Sequence, residues 1–180
     1  MDIACGGGYF LKEAEKGGVE TFGIDISPVA LEIARTSSPR SKLACSAGES
    51  LPFQDEFFDY LINLGSLEHF LDPEKGIQEM VRVLRKGGKA LLLLPNSYFL
   101  LAVWNVFKKG STGRETVQEL DRTATQSEWR ALIEENGLQV EKILKYNHKS
   151  KSASLKYKIL RPFIPLNFSY CFIFICRKPK

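Results

Sequence analysis

The chain has 180 residues, 44% of them hydrophobic, and a net charge of +4, which allows one domain with a real core and excludes two of ordinary size. Its four cysteines, Cys5, Cys45, Cys171 and Cys176, form no Cys-x-x-Cys pair, so free thiols and no metal site are expected. No apolar run approaches the roughly 20 residues of a membrane crossing and no basic-then-apolar leader is visible, which points to the cytoplasm.

The first stretch, DIACGGGYF, is a glycine-rich turn between a very short strand and a helix over 9–16. VETFGID reads as a strand. Ser27 followed by Pro28 then opens a helix running to Thr36, because serine caps well and proline suits the first helical position. KLAC and FDYLINL read as buried strands. DPEKGIQEMVRVLRKGG carries apolar residues at helical spacing, with Asp72 and Pro73 at its start and Gly87 and Gly88 at its end. KALLLLP is continuously apolar, as in a parallel strand covered on both faces. The alternation then breaks: NSYFLLAVWNVFKKG is an apolar helix ending in a basic turn, followed by a polar segment to Arg122. TQSEWRALIEENG restores a helix, capped by Thr125 or Ser127 and stopped at Gly137, and LQVEKILKY and FSYCFIFICRK close the chain as two strands.

Strands and helices alternating at this pitch argue for an α/β fold, a doubly wound and mostly parallel sheet with a shortened first strand, whose ligands sit at the carboxyl ends of the strands. One domain over 1–180 is expected: a cofactor-binding half over 1–96, an apolar helix and loop over 97–122, and a closing helix and strands over 123–180. The N–H groups of Gly6 to Gly8, at a helix N-terminus, are read as an anion site. A dinucleotide fingerprint starting at Gly6 needs its third glycine where Leu11 stands, which favours a smaller anion such as an amino-acid carboxylate. Asp25 ends the second strand, where a carboxylate accepts both hydroxyls of a ribose. A ribose ligand that also carries a carboxylate fits both features.

DIACGGG, GIDIS, ESLPFQDEFFDYLINLGSLEHFLDP and VLRKGGKALLLLPN, in that order, resemble the successive motifs of class I S-adenosylmethionine-dependent methyltransferases, and among them the small-molecule branch that includes the ubiquinone-biosynthesis-type enzymes. The resemblance covers 1–96 closely and the rest loosely. It implies a Rossmann-like sheet whose last strand is antiparallel, and S-adenosylmethionine as cofactor. It implies that Asp2 holds the methionine ammonium through water, that Gly6 and Gly8 let the backbone approach the cofactor, and that Asp25 grips the ribose. Ile26 and Leu51 are then expected on the adenine faces, and the backbone near Leu64 beside the methionine portion. The sequence departs from the pattern twice: Ala4 stands at the family's first loop glycine, and Ala47 at the acid that binds the adenine amino group. Adenine recognition is therefore assigned to the backbone of Ala47 and Gly48, or to Glu49. Family members carry a longer first strand and a helical segment ahead of it, so an N-terminally truncated domain is inferred; a minimal domain is the alternative.

Methyl transfer from a sulfonium needs little from the protein beyond orientation, which supplies about 7–11 kcal/mol of a barrier, and a base when the acceptor is a hydroxyl. His69 follows the fourth strand and is the candidate base, against a plain packing role; His148 reads as a solvated surface residue. The expected reaction is methylation of a small molecule at a hydroxyl oxygen. Two rivals are a methyltransferase-like binding or scaffolding module without activity and a nicotinamide-dependent oxidoreductase, the latter opposed by Leu11. A nucleic-acid target has no strong signal, since NLGS follows the fourth strand where an N-P-P-Y-like tetrapeptide is needed. Positions 141–180 hold ten Lys or Arg against one acid, which reads as a solvated surface or as contact with a phosphate-bearing or membrane-linked substrate. The apolar run Tyr98–Lys109 reads as packing, as a lid over a hydrophobic acceptor, or as a surface facing a membrane or lipid-linked substrate.

Overall fold

Two residues make the first strand. β1 (Asp2–Ile3) pairs in parallel with both β2 (Phe22–Asp25) and β4 (Phe58–Leu64), with Asp2 beside Gly23 on one side and Ile62 on the other. The structure, a computed structural model, describes residues 1–112, 120–147 and 159–180. The remaining strands are β3 (Lys42–Cys45), β5 (Leu84–Pro95), β6 (Gln139–Tyr146) and β7 (Cys171–Arg177). They form one seven-stranded sheet in the order β3-β2-β1-β4-β5-β7-β6, parallel except for β7, which runs antiparallel to both neighbours. The expected doubly wound sheet with an antiparallel final strand is therefore the observed one.

The helices are α1 (Tyr9–Lys16), α2 (Pro28–Ser37), α3 (Pro73–Val83), α4 (Leu100–Lys109) and α5 (Gln126–Glu135). Local chemistry sets their starts. Ser27 accepts from the Ala30 N–H at 3.2 Å, Asp72 accepts from Lys75 N–H at 2.9 Å, and Thr125, not Ser127, caps α5 through a reciprocal box with Glu128. β2 and β7 are shorter than the runs expected for them, and one boundary moves an element: α3 ends at Val83, and residues 84–88 belong to β5. Leu84 pairs with Phe58, Arg85 forms an ion pair with Asp59 at 2.7 Å, and a Cβ on Gly88 would meet carbonyl oxygens at 2.8 and 3.1 Å. Gly88 thus fits the close approach of β5 to β4, and Gly87 takes a left-handed φ of 76°, instead of stopping a helix.

The sheet's two faces are unequal. Ile3, Leu61, Leu92, Leu94, Phe172 and Phe174 are fully buried and belong to one core cluster with residues of α3 and α5, each large apolar side chain contributing about 1.5–3 kcal/mol relative to exposure. Trp129 of α5 locks that layer by donating its indole N–H to Pro95 O at 2.8 Å. On the opposite face KALLLLP is covered only in part, contrary to expectation: Leu91 and Leu93 alternate as half-buried residues and Tyr60 is 68% exposed. A trough of about 390 Å³ lies there, lined by Phe10 and Ala14 of α1 with Tyr60, Ile62, Leu91 and Ile175 of the sheet.

Candidate functional site

The carboxyl ends of β1 and β2 bring the glycine turn against Asp25. One Asp25 oxygen accepts from the Gly6 N–H at 2.8 Å and the other from the Ser27 N–H at 2.9 Å, so this carboxylate clamps both crevice loops. The Gly8 N–H donates to Cys5 O at 2.9 Å. Two of the three loop N–H groups expected to face an anion are therefore taken up in closing the turn, because a turn this tight must satisfy its own buried donors. The outward donors are those of the first turn of α1, whose N-cap Gly8 supplies no side-chain bond.

Both Gly6 and Gly8 have positive φ, 52° and 75°. A Cβ on Gly6 would meet nothing within 4 Å, leaving open space above the turn, whereas one on Gly8 would meet Ser38 Oγ at 2.8 Å and Ala34 Cα at 3.1 Å. Gly8 thus lets α2 pack against the turn. Ala4 also sits in the left-handed region, at φ 59°, so the alanine at the family's glycine position adopts the glycine conformation and carries its strain.

Asp2 is 4% exposed, and no donor among the described residues bonds its carboxylate. Burial pushes its pKa up from 3.8 to about 7, offset in part by the Met1 ammonium and reinforced by Asp25. The Met1 ammonium donates to Tyr60 O at 2.8 Å and is itself lowered to about 6 by burial. Cys5 lies beneath the turn, its thiol raised to about 12 by burial and by the nearby carboxylates of Asp2 and Asp25, which makes it an inert packing residue.

Around the residues expected to meet an adenine, Ile26 projects into solvent, 74% exposed, and Ser46 N–H donates to Asp25 O at 3.1 Å, bringing the loop after β3 alongside. Gly48 is buried under Phe70; a Cβ there would lie 2.2 Å from the ring. Glu49 accepts from Leu71 N–H at 2.9 Å and so ties this loop to the one after β4. The Leu51 side chain belongs to the core, and its N–H donates to Glu79 at 2.8 Å. Arg82 organises the loop from below: its guanidinium meets Glu79 and Asp55 and donates to the carbonyls of Leu51 and Phe53. The Arg82 hydrogen bonds hold the Glu79 carboxyl below its usual range. Ala47 is half-buried in the same loop, and Leu64, 41% exposed, ends β4.

His69 lies in a 3₁₀ turn over Leu67–His69 after β4. Its Nδ1 is 2.5 Å from Leu120 O, and its Nε2 is 4.0 Å from Glu68 Oε1. Three contributors escaped the sequence reading. Asn63, fully buried, donates to Ile3 O at 3.1 Å and accepts from Leu67 N–H at 2.9 Å, stitching β1 to the His69 turn; an asparagine inside an apolar strand was its signal. Leu120 and Arg122 contact the turn from some 50 residues away, with no local signature. His148 lies outside the described residues. None of the ten residues of α4 is buried, so core packing is not the role of that helix. Among the described residues no helix is long and apolar enough to cross a membrane, and no cluster of three metal-ligating side chains occurs.

The sheet order with an antiparallel seventh strand, together with a glycine turn clamped by the acid that ends β2, defines a doubly wound α/β domain with its crevice at the carboxyl ends of the parallel strands. A family profile described as a methyltransferase domain matches residues 1–92, just over half the sequence. The chain belongs to that methyltransferase family. It is 36% identical over 100 residues to ajmaline N-methyltransferase of Rauvolfia serpentina, covering 52% of this chain and 34% of that one. It is 37% identical over 94 residues to the chloroplastic 2-methyl-6-phytyl-1,4-hydroquinone methyltransferase of Spinacia oleracea, covering 48% and 27%. The chain thus spans about a third of the length of these relatives. An S-adenosylmethionine-dependent methyltransferase of Methanosarcina mazei superposes with a TM-score of 0.72 at 19% identity, covering 99% of this chain and 91% of that one, a likeness of fold.

Proposed function

We propose that the chain binds S-adenosylmethionine and transfers its methyl group to a small-molecule acceptor, with a hydroxyl oxygen as the atom methylated. The observation that carries this reading is Asp2: a buried carboxylate with a raised pKa and no bonded donor, next to a clamped glycine turn with open space above Gly6. An α-ammonium supplies the charge that Asp2 lacks, the first turn of α1 suits the accompanying carboxylate, and Ile26 offers an exposed apolar surface to an adenine.

When bound, the cofactor supplies a methyl group on a sulfonium, whose transfer breaks an S–C bond, forms an O–C bond and releases the acceptor's hydroxyl proton. The chain's residues do the rest. Asp2, Asp25 and the turn hold the donor in place, exposed Tyr98 in the turn after β5 and Trp104 of α4 lend an apolar flank, and His69 Nε2 takes the proton. The relatives' printed names include both an N-methyltransferase and a hydroquinone methyltransferase; the histidine after β4 favours the acceptor that must lose a proton.

Calorimetric titration with S-adenosylhomocysteine tests the cofactor half of this reading. Micromolar binding that Asp25→Ala abolishes, in a chain that circular dichroism shows to be folded, is the expected outcome. A folded wild-type chain that binds nothing refutes the reading and favours a binding module without activity, to which Ala47 and the engagement of Glu49 by Leu71 lend weight. Tritiated methyl transfer to matched hydroquinone and secondary-amine panels, with the methylated atom of each product assigned by NMR, then separates oxygen from nitrogen and from ring carbon.

A further inference from the structure

We propose that Arg122 is a positioning residue that sets the tautomer of His69. The inference rests on the reading of His69 as proton acceptor. The segment Leu120–Ala124 runs as a strap between the ends of β4 and β5. On the β5 side, Ser97 N–H donates to Ala124 O at 3.2 Å and the Ser97 hydroxyl meets that of Thr123 at 3.1 Å. On the β4 side, the Arg122 guanidinium donates to the carbonyls of Glu68 (3.4 Å), Phe70 and Leu71 (3.2 Å), and its own N–H donates to Glu68 O at 3.3 Å. Glu68 and Phe70 are the two neighbours of His69, so one planar fork grips the backbone on both sides of the histidine. Carbonyls at the end of a helical turn carry partial negative charge and lack internal partners, and arginine alone has enough fixed donors to serve three of them together.

Two residues before Arg122 in the strap, Leu120 O meets His69 Nδ1 at 2.5 Å. A carbonyl only accepts, so Nδ1 carries the hydrogen and the lone pair of the neutral ring falls on Nε2. Nε2 is the atom 4.0 Å from Glu68 Oε1, and the ring keeps 28% side-chain exposure. A proton taken up at Nε2 thus gives an imidazolium held between a carbonyl and a carboxylate. A solvated imidazole prefers the other tautomer, hydrogen on Nε2, in which that nitrogen is no base. The strap reverses this preference, and Arg122 fixes the strap's register.

The test needs no acceptor. The chain contains only two histidines, His69 and His148, so long-range ¹H–¹⁵N spectra of histidine-labelled protein at mildly alkaline pH resolve both rings, with His69→Gln assigning them. In the wild type, His69 shows a pyrrole-type Nδ1 and a pyridine-type Nε2. In Arg122→Gln the two exchange character, in Arg122→Lys the signals fall between, and the His148 ring serves as reference. The proposal is overturned if wild-type His69 carries its hydrogen on Nε2, or if folded Arg122→Gln keeps the wild-type pattern. Should the glutamine variant unfold, the lysine variant decides: partial loss of the Nδ1–H form supports the proposal and an unshifted pattern refutes it. S-adenosylhomocysteine affinity stays within twofold of wild type in the Arg122 variants, so failure of the cofactor reading registers in the wild-type titration, apart from the tautomer.

Discussion

Replacing Asp2 with asparagine removes the buried charge that the proposed cofactor ammonium answers. The Asp2 carboxyl is half-ionised near pH 7, well above its ordinary 3.8, because burial disfavours the charged form. A ligand ammonium binds the ionised form, so S-adenosylhomocysteine affinity rises as pH climbs through 7. One unit either side of that pKa the ionised fraction goes from about a tenth to about nine-tenths, which makes binding roughly ninefold tighter at about pH 8 than at about pH 6. Stability runs the opposite way. With a folded pKa above the unfolded one, the contribution of Asp2 is complete below pH 3.8 and is lost as pH rises through 7, by at most about 4 kcal/mol. Asp2→Asn therefore binds more weakly, shows no pH dependence across this window, and melts above the wild type in mildly alkaline buffer. Calorimetry at two pH values and thermal denaturation read all three. Equal wild-type affinity at both pH values, or a slope that survives in the asparagine variant, refutes the argument.

Two further substitutions address the loops that frame the crevice. Ala4→Gly relieves a left-handed alanine worth about 1–2 kcal/mol and loses about 0.5–1 kcal/mol to the freer unfolded chain. Its urea midpoint should rise by the equivalent of about 0.5–1 kcal/mol with an unchanged slope, and a fall shows that the turn tolerates alanine without strain. Arg82→Ala removes the bonds that hold Leu51, Phe53, Asp55 and Glu79 and should cost about 1–3 kcal/mol, with faster amide exchange at Leu51 and weaker S-adenosylhomocysteine binding; unchanged exchange there means the loop is ordered by packing alone.

Much of the fold was legible because it is written in local patterns. KLAC and FDYLINL became β3 and β4 residue for residue, and α1 filled the expected 9–16, since strand runs and caps act over a few residues. The errors arose where a distant partner decides. Gly87 and Gly88 look like a helix stop, but Lys178 exchanges backbone hydrogen bonds with both of them, and pairing across some 90 residues leaves no trace in the local pattern. The site divides the same way. Asp2, Gly6, Gly8 and Asp25 stand in one contiguous motif and its successor, and the fold brings them together. Arg122 and Leu120 reach the His69 turn only after the chain has passed through β5 and α4, so composition and spacing near either end say nothing of the contact.

That division has a consequence for testing function. Most of the fully buried apolar side chains belong to the cluster shared with α3 and α5, and Leu11 and Leu31 to a smaller one with α1 and α2; deleting one from the larger cluster costs about 2–5 kcal/mol. Asp2, Asp25, Ile26 and His69 belong to the strand ends and the other face, where Leu91 and Leu93 are half-covered and the trough beside Tyr60 is open. Crevice substitutions therefore touch few of the contacts that carry global stability. Asp25 is the exception, because its two oxygens hold the turns at Gly6 and Ser27: alanine there removes the proposed ribose partner and a loop clamp together. Asp25→Asn keeps one carbonyl acceptor and loses the charge. If loop order is what the cofactor needs, asparagine retains part of the S-adenosylhomocysteine affinity that alanine loses; if the paired hydroxyls need both anionic oxygens, the two variants fail alike although the asparagine chain, with one turn still held, melts above the alanine chain.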